Sequence, residues 1–302
     1  MQDIYLKLCE ILGEDSVLKN EPMKSHTTFK VGGCADFVLL PKSVNALSET
    51  IKYLNVIQYP FYIMGNGSNV LVKDSGYKGA IIKLKENFSD IEVDSDNCYI
   101  KAEAGALLSR IAKCAYDESM TGFEFAAGIP GTLGGAVTMN AGAYGGEMRD
   151  IIMEVTVMDK AGNVDVKTNE EMRFDYRHSI VTDEDLIVLS AMMELKAGSK
   201  DDIKEMMDDL AFRRRDKQPL EFPSAGSTFK RPEGYFAGKL IMDAGLRGYR
   251  VGGAMVSEKH CGFVINAGNA TAADILQVIS DVKAKVFEQF GVMLEEEVKI
   301  LG

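Results

Sequence analysis

Two serines and two cations lie close together in residues 222–232, which read FPSAGSTFKRP and include Lys230 and Arg231. A serine hydroxyl can donate a proton or act as a nucleophile if it is positioned for either task. Ser224 and Ser227 lie within SAGST, which is not a GxSxG elbow, and this argues against a hydrolase triad. The segment is a candidate catalytic loop. The alternative is a turn rich in small polar residues, which favour turns in any case.

Three other segments contain ionisable side chains that could do chemistry. DYRHS contains Arg177, whose planar guanidinium suits a carboxylate. In LEEEV, strand alternation would place Glu295 and Glu297 on one face and Glu296 on the other, and the pattern does not select one of the three. His260 in SEKHCGFVIN could bind a ligand phosphate or satisfy a buried contact. For each segment an ordinary structural or exposed role is the alternative.

Glycine-rich residues would bring a ligand close to the main chain. Residues 122–146, GFEFAAGIPGTLGGAVTMNAGAYGG, include eight glycines, and glycine lets the backbone approach a ligand and present its N–H groups. Pro130 precedes a run, residues 131–139, that can begin a helix, and a helix N-terminus beside glycine turns is an anion-binding arrangement. A packed glycine turn without a ligand is the alternative.

A second glycine turn follows FYIM, residues 61–64, which we interpret as a short buried strand. The turn, GNGSNVLV at residues 65–72, is not a Walker loop because no Gly-Lys-Ser/Thr follows. It is not a dinucleotide fingerprint either, because Val70 stands where GxGxxG requires glycine. Two glycine turns that present N–H groups predict a ligand with two or more phosphates, or one phosphate pair held from both sides.

Length and composition indicate a globular protein. The chain has 302 residues, of which 46% are apolar, and it is long enough for two domains. No run of about 18 apolar residues occurs, and the first 16 residues read as an amphipathic helix rather than a signal peptide. Five scattered cysteines without a CxxC pair favour reduced thiols and the cytoplasm. Three histidines without metal-ligand spacing predict no metal.

The charge is unevenly distributed along the chain. The net charge of −11 argues against bulk nucleic-acid binding. Residues 213–260 nevertheless hold ten Lys or Arg against five Asp or Glu. A local basic region on an acidic protein suits a small anionic ligand better than a polyanion.

The order of the predicted elements indicates an α+β fold. Helices are expected up to residue 13 and over 43–55, 107–117, 198–218, 235–244 and 272–290, and strands over 36–40, 61–64, 80–84, 91–93, 99–102, 151–158, 164–167 and 186–195. In the second helix, Val44, Leu47, Ile51 and Leu54 share one face. The strand at 61–64 would complete a βαβ unit, and the domain boundary is expected where the polar helix ends at Pro219.

Seven segments, in order along the chain, resemble the UDP-N-acetylenolpyruvoylglucosamine reductase (MurB) family of peptidoglycan precursor synthesis. They are TFKVGGCADF, GNGSNVLV, GIPGTLGGAVTMNAGAYGGE, YRHS, SAGSTFKRP, AGKLIMDAGLRGYRVGGAMVSEKHCGFVINAGNATA and LEEEVKIL, and they span nearly the whole chain from about Thr27. Several long motifs in one order are far more specific than a single glycine loop. The chain resembles the shorter type of the family, since no tyrosine occurs among the 49 residues that separate Arg177 from Ser227.

The resemblance implies a two-part architecture. An FAD-binding domain of the vanillyl-alcohol-oxidase (PCMH) type would occupy residues 1–198, with subdomains of about 1–85 and 86–198. A helical linker at 199–218 and an α+β substrate-binding domain at 219–302 would follow. The resemblance also implies non-covalent FAD, NADPH as the reductant and UDP-N-acetylglucosamine enolpyruvate as the substrate. We expect a cytoplasmic monomer that neither binds nucleic acid nor inserts into a membrane.

The family's reaction gives the candidate residues roles. Hydride from the flavin N5 would add to C3 of the enolpyruvyl group. Arg177 would stabilise the charge that develops at the carboxylate, Glu297 would hydrogen-bond the same region, and Ser227 would deliver the proton to C2 with help from cations such as Lys230. The cofactor would contact Gly65, Asn66, Gly67, Ser68, Asn69, Gly128, Ile129, Pro130, Gly131, Thr132, Gly134, Gly135, Asn140, Gly142 and Ala143. The substrate would contact Tyr176, Lys217, Lys230, Arg231 and His260.

Two departures and two alternatives qualify this interpretation. Glu296 stands where many members have proline, which leaves the pose of Glu297 open, and an element other than the family's tyrosine must close the site. The first alternative is another FAD-dependent oxidoreductase of the superfamily, such as an oxidase of small alcohols. Those enzymes often attach flavin to histidine, and His26 lies outside any glycine loop in the sequence. The second is a regulator that binds FAD or a nucleotide without turnover.

Overall fold

The computed structural model describes all 302 residues as a mixed α+β protein, as predicted. The α-helices are α1 (Gln2–Leu12), α2 (Val44–Val56), α3 (Leu108–Asp117), α4 (Leu133–Thr138), α5 (Ile180–Asp183), α6 (Lys200–Lys217), α7 (Ala237–Asp243) and α8 (Ala272–Phe290). The first ten strands are β1 (Val17–Pro22), β2 (Cys34–Leu39), β3 (Phe61–Met64), β4 (Val70–Val72), β5 (Tyr77–Lys83), β6 (Ile91–Asp94), β7 (Tyr99–Glu103), β8 (Met120–Thr121), β9 (Gly142–Ala143) and β10 (Gly146–Glu147). The remaining strands are β11 (Ile152–Met158), β12 (Val164–Thr168), β13 (Ile187–Glu194), β14 (Lys196–Ala197), β15 (Arg250–Val251), β16 (Ala254–Val256), β17 (Val264–Asn266) and β18 (Lys299–Leu301). No helix combines the length and apolar content that a membrane span requires.

Two compact units make up the chain, and each contains separate stretches of sequence. The first contains residues 1–19, 37–66 and 79–213, and the second contains residues 20–36, 67–78 and 214–302. The expected division into 1–198, 199–218 and 219–302 assigns functions along the chain and stays a prediction beside these units. Within the second unit β4 pairs in parallel with β18, so that Leu71 lies opposite Ile300. Pairing over so long a separation is not visible in local sequence patterns.

A five-stranded antiparallel sheet forms the centre of the first unit. Its strand order is β12-β11-β13-β7-β6. The predicted hairpin is confirmed, because β11 and β12 pair with Met158 opposite Val164. Helix α4 lies against β13, and β13 is buried along most of its length, as its apolar composition requires. This packing fixes the glycine-rich residues around α4 on a rigid support.

The predicted βαβ unit is only partly correct. A second sheet has the order β1-β2-β5-β3, and β3 runs parallel to β5. Because β5 lies between β2 and β3, the strands that flank α2 are not neighbours. Ser43 caps α2 as predicted, and its side chain accepts a hydrogen bond from the N–H of Ala46. Val44 is 36% exposed, so the buried face of α2 begins at Leu47.

Helix α8 organises the second unit. A capping box between Thr271 and Asp274 begins it, and Gly291 ends it in the left-handed conformation. Its predicted bounds, 272–290, are confirmed. The carboxylate of Asp74 accepts hydrogen bonds from the N–H groups of residues 272 and 273. The three-stranded sheet β15-β16-β17 and helix α7 complete this unit, and α7 begins at Ala237, two residues later than expected.

Candidate active site

The two glycine segments meet within the first unit. Asn66 Nδ2 donates a hydrogen bond to the carbonyl oxygen of Pro130 over 2.8 Å. A Cβ atom at Gly65 would collide with Oγ1 of Thr132, so the packing of the Thr132 side chain against residue 65 requires glycine there. The proximity of residues 65–66 and 130–132 is what a ligand held by both turns would need.

Helix α4 is a weaker anion site than the sequence predicted. The expected helical run was 131–139, whereas α4 comprises only six residues, Leu133–Thr138. The N–H groups of Leu133 and Gly134 donate to main-chain carbonyls of residues 106 and 104 over 2.9 and 2.8 Å. These donors are therefore occupied by the protein itself. A Cβ at Gly134 would lie 2.9 Å from the side chain of residue 104, so this glycine serves close packing.

Exposure divides the predicted cofactor residues into two groups. Exposed or half-buried residues are Gly65, Asn66, Ser68, Asn69, Gly128, Ile129, Pro130, Gly131, Gly134, Gly135, Gly142 and Ala143. Gly67, Thr132 and Asn140 are buried. Asn140 is 0% exposed and its amide hydrogen-bonds to main-chain atoms of Arg149 and Asp175. The prediction that Asn140 contacts the cofactor is corrected, because its side chain is already committed within the protein.

Arg177 lies in a tight turn with an unusual backbone conformation. Asp175 and His178 exchange two main-chain hydrogen bonds of 3.1 Å. Arg177, the third residue of this turn, has φ of 55°, a conformation in which turns favour glycine. Its guanidinium carbon lies 5.3 Å from the centre of the Tyr176 ring. Ten other non-glycine residues also have a positive φ, so this conformation describes the turn and does not by itself assign Arg177 a role.

Main-chain and side-chain hydrogen bonds fix the loop that carries Ser227 within the second unit. Thr228, which is 1% exposed, accepts a hydrogen bond at Oγ1 from the N–H of Val264 over 2.9 Å. Its own N–H donates to the carbonyl of Gly262 over 2.9 Å. Ser224 contributes its main-chain carbonyl, which accepts a bond from Thr28 Oγ1. Ser227 is half-buried between these two anchored residues.

The structure distinguishes the three adjacent glutamates. Glu295 forms an ion pair with Lys230 over 3.2 Å and Glu296 forms one with Lys283 over 2.7 Å. Burial raises the pKa of Glu296, but the hydrogen bond and charge of Lys283 together with a main-chain hydrogen bond outweigh burial and lower the pKa overall. Glu297 differs, because its N–H donates to Thr228 over 2.8 Å and its carbonyl accepts from Asn69 over 3.1 Å. Its backbone is thus held by the Ser227 loop and by the second glycine turn.

The second glycine turn contacts the segment that contains His26. A Cβ at Gly67 would collide with the carbonyl oxygen of His26, and the Gly67 carbonyl accepts a hydrogen bond from the N–H of Thr28. His26 therefore lies beside this turn in space, although the sequence placed it outside any glycine loop. The His26 ring itself is 2.9 Å from a carboxylate oxygen of Glu21.

The predicted substrate residues occupy different settings. Arg231 lies with its guanidinium carbon 4.0 Å from the centre of the Phe236 ring, and its Nε donates to the carbonyl of Tyr235. Lys217 is the exposed last residue of α6, and Tyr176 is 47% exposed in the Arg177 turn. Lys230 is engaged by Glu295, so its charge is shared with that carboxylate rather than directed at Ser227 alone.

The contacts of His260 fit a structural role better than they fit phosphate binding. Nδ1 accepts a hydrogen bond from the N–H of Gly262 over 3.1 Å, and the ring packs edge-on against Phe263 at 5.0 Å. Burial lowers the pKa of His260 below its ordinary value of 6.5. A neutral, half-buried imidazole is a poor phosphate ligand compared with a cation, although its second nitrogen can still donate a hydrogen bond.

Sequence reasoning missed several residues that hold these segments in place. Thr28 and Thr228 anchor the Ser227 loop, and Asn266, which is 9% exposed, donates from Nδ2 to the carbonyl of Phe29. Asn140 fixes the Arg177 turn by donating from Nδ2 to the carbonyl of Asp175. The only sequence signal for these roles was their occurrence inside the long motifs, since short polar residues are common in loops for many reasons. No cluster of three or more His, Cys, Asp and Glu side chains could hold a metal ion.

Comparisons with known proteins match this arrangement to one family. Residues 218–301 match the family model described as UDP-N-acetylenolpyruvoylglucosamine reductase, C-terminal domain, and residues 35–166 match the model of an FAD binding domain. The chain is 54% identical over 301 residues to the UDP-N-acetylenolpyruvoylglucosamine reductase of Clostridioides difficile, with 100% of this chain and 98% of that protein covered.

Solved structures give the same assignment. The crystal structure of UDP-N-acetylenolpyruvylglucosamine reductase from Thermus caldophilus matches with a TM-score of 0.80 and 34% identity, over 95% of this chain and 98% of that one. Phl p 4.0202, a glucose dehydrogenase, matches with a TM-score of 0.52 and 14% identity, over 66% of this chain and 44% of that one. The second likeness concerns the fold alone.

Proposed function

Since the chain belongs to the UDP-N-acetylenolpyruvoylglucosamine reductase family, we propose that it reduces UDP-N-acetylglucosamine enolpyruvate to UDP-N-acetylmuramate with NADPH as the reductant. The family and the FAD-binding domain make it an FAD-dependent oxidoreductase of peptidoglycan precursor synthesis. When bound, the reduced flavin supplies the hydride that adds to C3 of the enolpyruvyl group. The chain's own residues must then bind the substrate, stabilise negative charge and deliver a proton.

The residues present fit an FAD molecule at the glycine turns. Gly65 lies where any Cβ would collide with the Thr132 side chain, and the Asn66 side-chain amide donates to the carbonyl of Pro130, so the two segments lie side by side. Gly128 and Gly135 are exposed beside this junction. Main-chain N–H groups in such turns bind phosphate oxygens, which supports pyrophosphate binding here. Non-covalent attachment remains part of the proposal.

The pairing of the Ser227 loop with residues 295–297 is the single observation that carries the catalytic proposal. Because Glu297 N–H donates to Thr228, the serine and the glutamate belong to one hydrogen-bonded ladder within the second unit. Ser227 delivers the proton to C2, and Glu297 hydrogen-bonds the enolpyruvyl region. A positioned general acid contributes about 10²- to 10⁴-fold to a rate.

Charge stabilisation is assigned to Arg177. The turn fixes its main chain, its guanidinium carbon lies 5.3 Å from the centre of the Tyr176 ring, and a planar fork of donors suits the carboxylate on which negative charge develops. Tyr176 and the basic residues Lys217, Lys230 and Arg231 bind the remainder of the UDP-sugar. For His260, a hydrogen bond from a neutral ring is proposed in place of ionic phosphate binding.

The proposal extends to organisation and location. FAD binding is assigned to the N-terminal part of the chain, about residues 1–198, and substrate binding to residues 219–302 after the linker at 199–218. The enzyme acts in the cytoplasm, for which the scattered cysteines without a CxxC pair are the support. We propose a monomer that has no nucleic-acid partner, in keeping with the net charge of −11.

A flavin reoxidation trace tests this function. The purified protein is reduced anaerobically with NADPH and then mixed with UDP-N-acetylglucosamine enolpyruvate, while the flavin absorbance is followed. Rapid return of the oxidised spectrum is expected. A yellow protein that is reoxidised only by oxygen would instead indicate an oxidase, and a bound flavin that does not turn over with NADPH would indicate a regulator.

A further inference from the structure

Asn140 is a buried polar residue, and both the oxygen and the nitrogen of its side-chain amide form hydrogen bonds. It is 0% exposed, and its backbone is in the left-handed region with φ of 41°. Oδ1 accepts a hydrogen bond from the N–H of Arg149 over 2.9 Å, and Nδ2 donates to the carbonyl oxygen of Asp175 over 3.1 Å. A neutral amide offers an acceptor and a donor on two separate atoms, and here each atom has its own main-chain partner.

The donor end of this amide acts on the turn that carries Arg177. The carbonyl of Asp175 accepts the hydrogen bond from His178 that closes the turn, and it accepts the bond from Asn140 as well. Asn140 thus holds the first residue of a four-residue turn whose third residue is Arg177. A shift of the Asp175 carbonyl would move the whole turn, because its two main-chain bonds span only residues 175–178.

Two further contacts tie the same turn to its surroundings. Ser179, which is 0% exposed, donates from Oγ to the carbonyl of Thr138 over 2.8 Å. Nη1 of Arg149 donates to the carbonyl of Phe174 over 3.3 Å. The residues on both sides of the turn are therefore fixed to residues 138–149, which form the end of the glycine-rich segment.

We infer that Asn140 is a positioning residue that sets the location of Arg177 relative to the glycine-rich segment. The inference rests on the proposed function, since Arg177 matters to turnover only if it stabilises the substrate carboxylate. Asn140 does not touch the substrate or the cofactor in this account. Its contribution is to hold the Asp175 carbonyl, and with it the turn, in register with the glycine-rich segment, beside the contacts that Ser179 and Arg149 make on either side.

The test compares Asn140→Asp with Asn169→Asp. Aspartate at position 140 keeps the acceptor for Arg149 but cannot donate to Asp175. Asn169 is the matched control, because its Nδ2 donates to the carbonyls of Arg149 and Ile152 and makes no contact with the Arg177 turn.

We expect Asn140→Asp to bind FAD and to be reduced by NADPH at the wild-type rate. Reoxidation by the enolpyruvyl substrate should slow by about 10²-fold, as a small displacement of a charged group can do. Asn169→Asp should not show this selectivity.

A double-mutant cycle separates positioning from general support of the fold. In an Arg177→Ala background, Asn140→Asp should produce no further slowing of reoxidation, because the group that it positions is absent. An unchanged further loss in that background, or equal slowing of both half-reactions, would overturn the inference. If the aspartate variant does not fold, Asn140→Gly retains the left-handed backbone and removes the same hydrogen bond. If the wild-type protein itself is not reoxidised by the substrate, the proposed function has failed rather than this inference.

Discussion

The main-chain N–H of Glu297 donates to the carbonyl oxygen of Thr228 over 2.8 Å, which places the third glutamate of LEEEV beside the residue that follows Ser227. Ser227 and Glu295 are 68 positions apart in the sequence, and the two segments share no local pattern. Their pairing supports the proposal that a weakly acidic serine and a carboxylate act on one substrate group. The side chains of Glu295 and Glu296 are paired with Lys230 and Lys283, and the choice of Glu297 stays part of the proposal.

Gly65→Ala should disrupt the junction of the two glycine turns. The new Cβ would collide with Oγ1 of Thr132, and overpacking of this kind costs about 1–3 kcal/mol. We expect a lower free energy of unfolding in denaturant and loss of flavin during gel filtration. Adding Thr132→Ala should restore part of both. Gly135→Ala is the steric control, since its Cβ would have no neighbour closer than 3.9 Å, and it should not lower stability. Equal stability of Gly65→Ala and wild type would contradict the close approach.

Arg177→Gly and Arg177→Ala should separate stability from activity. Both remove the guanidinium and should impair reoxidation by the substrate. The left-handed conformation costs a residue with a Cβ about 1–2 kcal/mol. Glycine avoids this cost, but the larger entropy of its unfolded chain destabilises the folded protein by about 0.5–1 kcal/mol. Arg177→Gly should therefore unfold with a free energy about 0.5–1 kcal/mol higher than that of Arg177→Ala. Urea unfolding measures this difference, and a less stable glycine variant would show that the turn is not strained.

The elements with local signals were the predictable part of this fold. Helix α8 has a capping box, a buried stripe and a terminal glycine, and its bounds were predicted correctly. By contrast, the parallel pairing of β4 with β18 depends on residues more than two hundred positions apart, which no periodicity reveals. The short α4 shows the same limit, because its first N–H groups are satisfied by the chain segment near residue 105 rather than by a ligand.

The candidate site was predictable to a similar extent. The types of Arg177, Ser227 and Glu297 and the motifs around them indicated the chemistry. The sequence did not show that Asn140 would be buried with both ends of its amide bonded, because an asparagine in a glycine-rich loop looks the same whether it contacts a ligand or the main chain.

The pH dependence of stability should contain a contribution from His260. Burial places its pKa in the folded protein below the ordinary value of 6.5, so below that pH the unfolded chain binds more protons than the folded one. This contribution is fully present above about pH 6.5 and is lost as the pH falls through the folded-state pKa. His260→Asn retains an acceptor for Gly262 and removes the titration. The variant should lose less stability than wild type between pH 7.5 and pH 5 in urea unfolding. Parallel pH profiles would contradict the assignment.

Rapid-mixing kinetics of Ser227→Ala test the central claim most directly. The matched control is Ser224→Ala, since Ser224 is held through its main-chain carbonyl and by pairing with Ile265. In Ser227→Ala, we expect NADPH to reduce the flavin at the wild-type rate, and reoxidation by UDP-N-acetylglucosamine enolpyruvate to slow by about 10²- to 10⁴-fold. Ser224→Ala should reoxidise normally. Reoxidation of Ser227→Ala at the wild-type rate, or equal slowing of both half-reactions, would contradict the role of Ser227 as the proton donor.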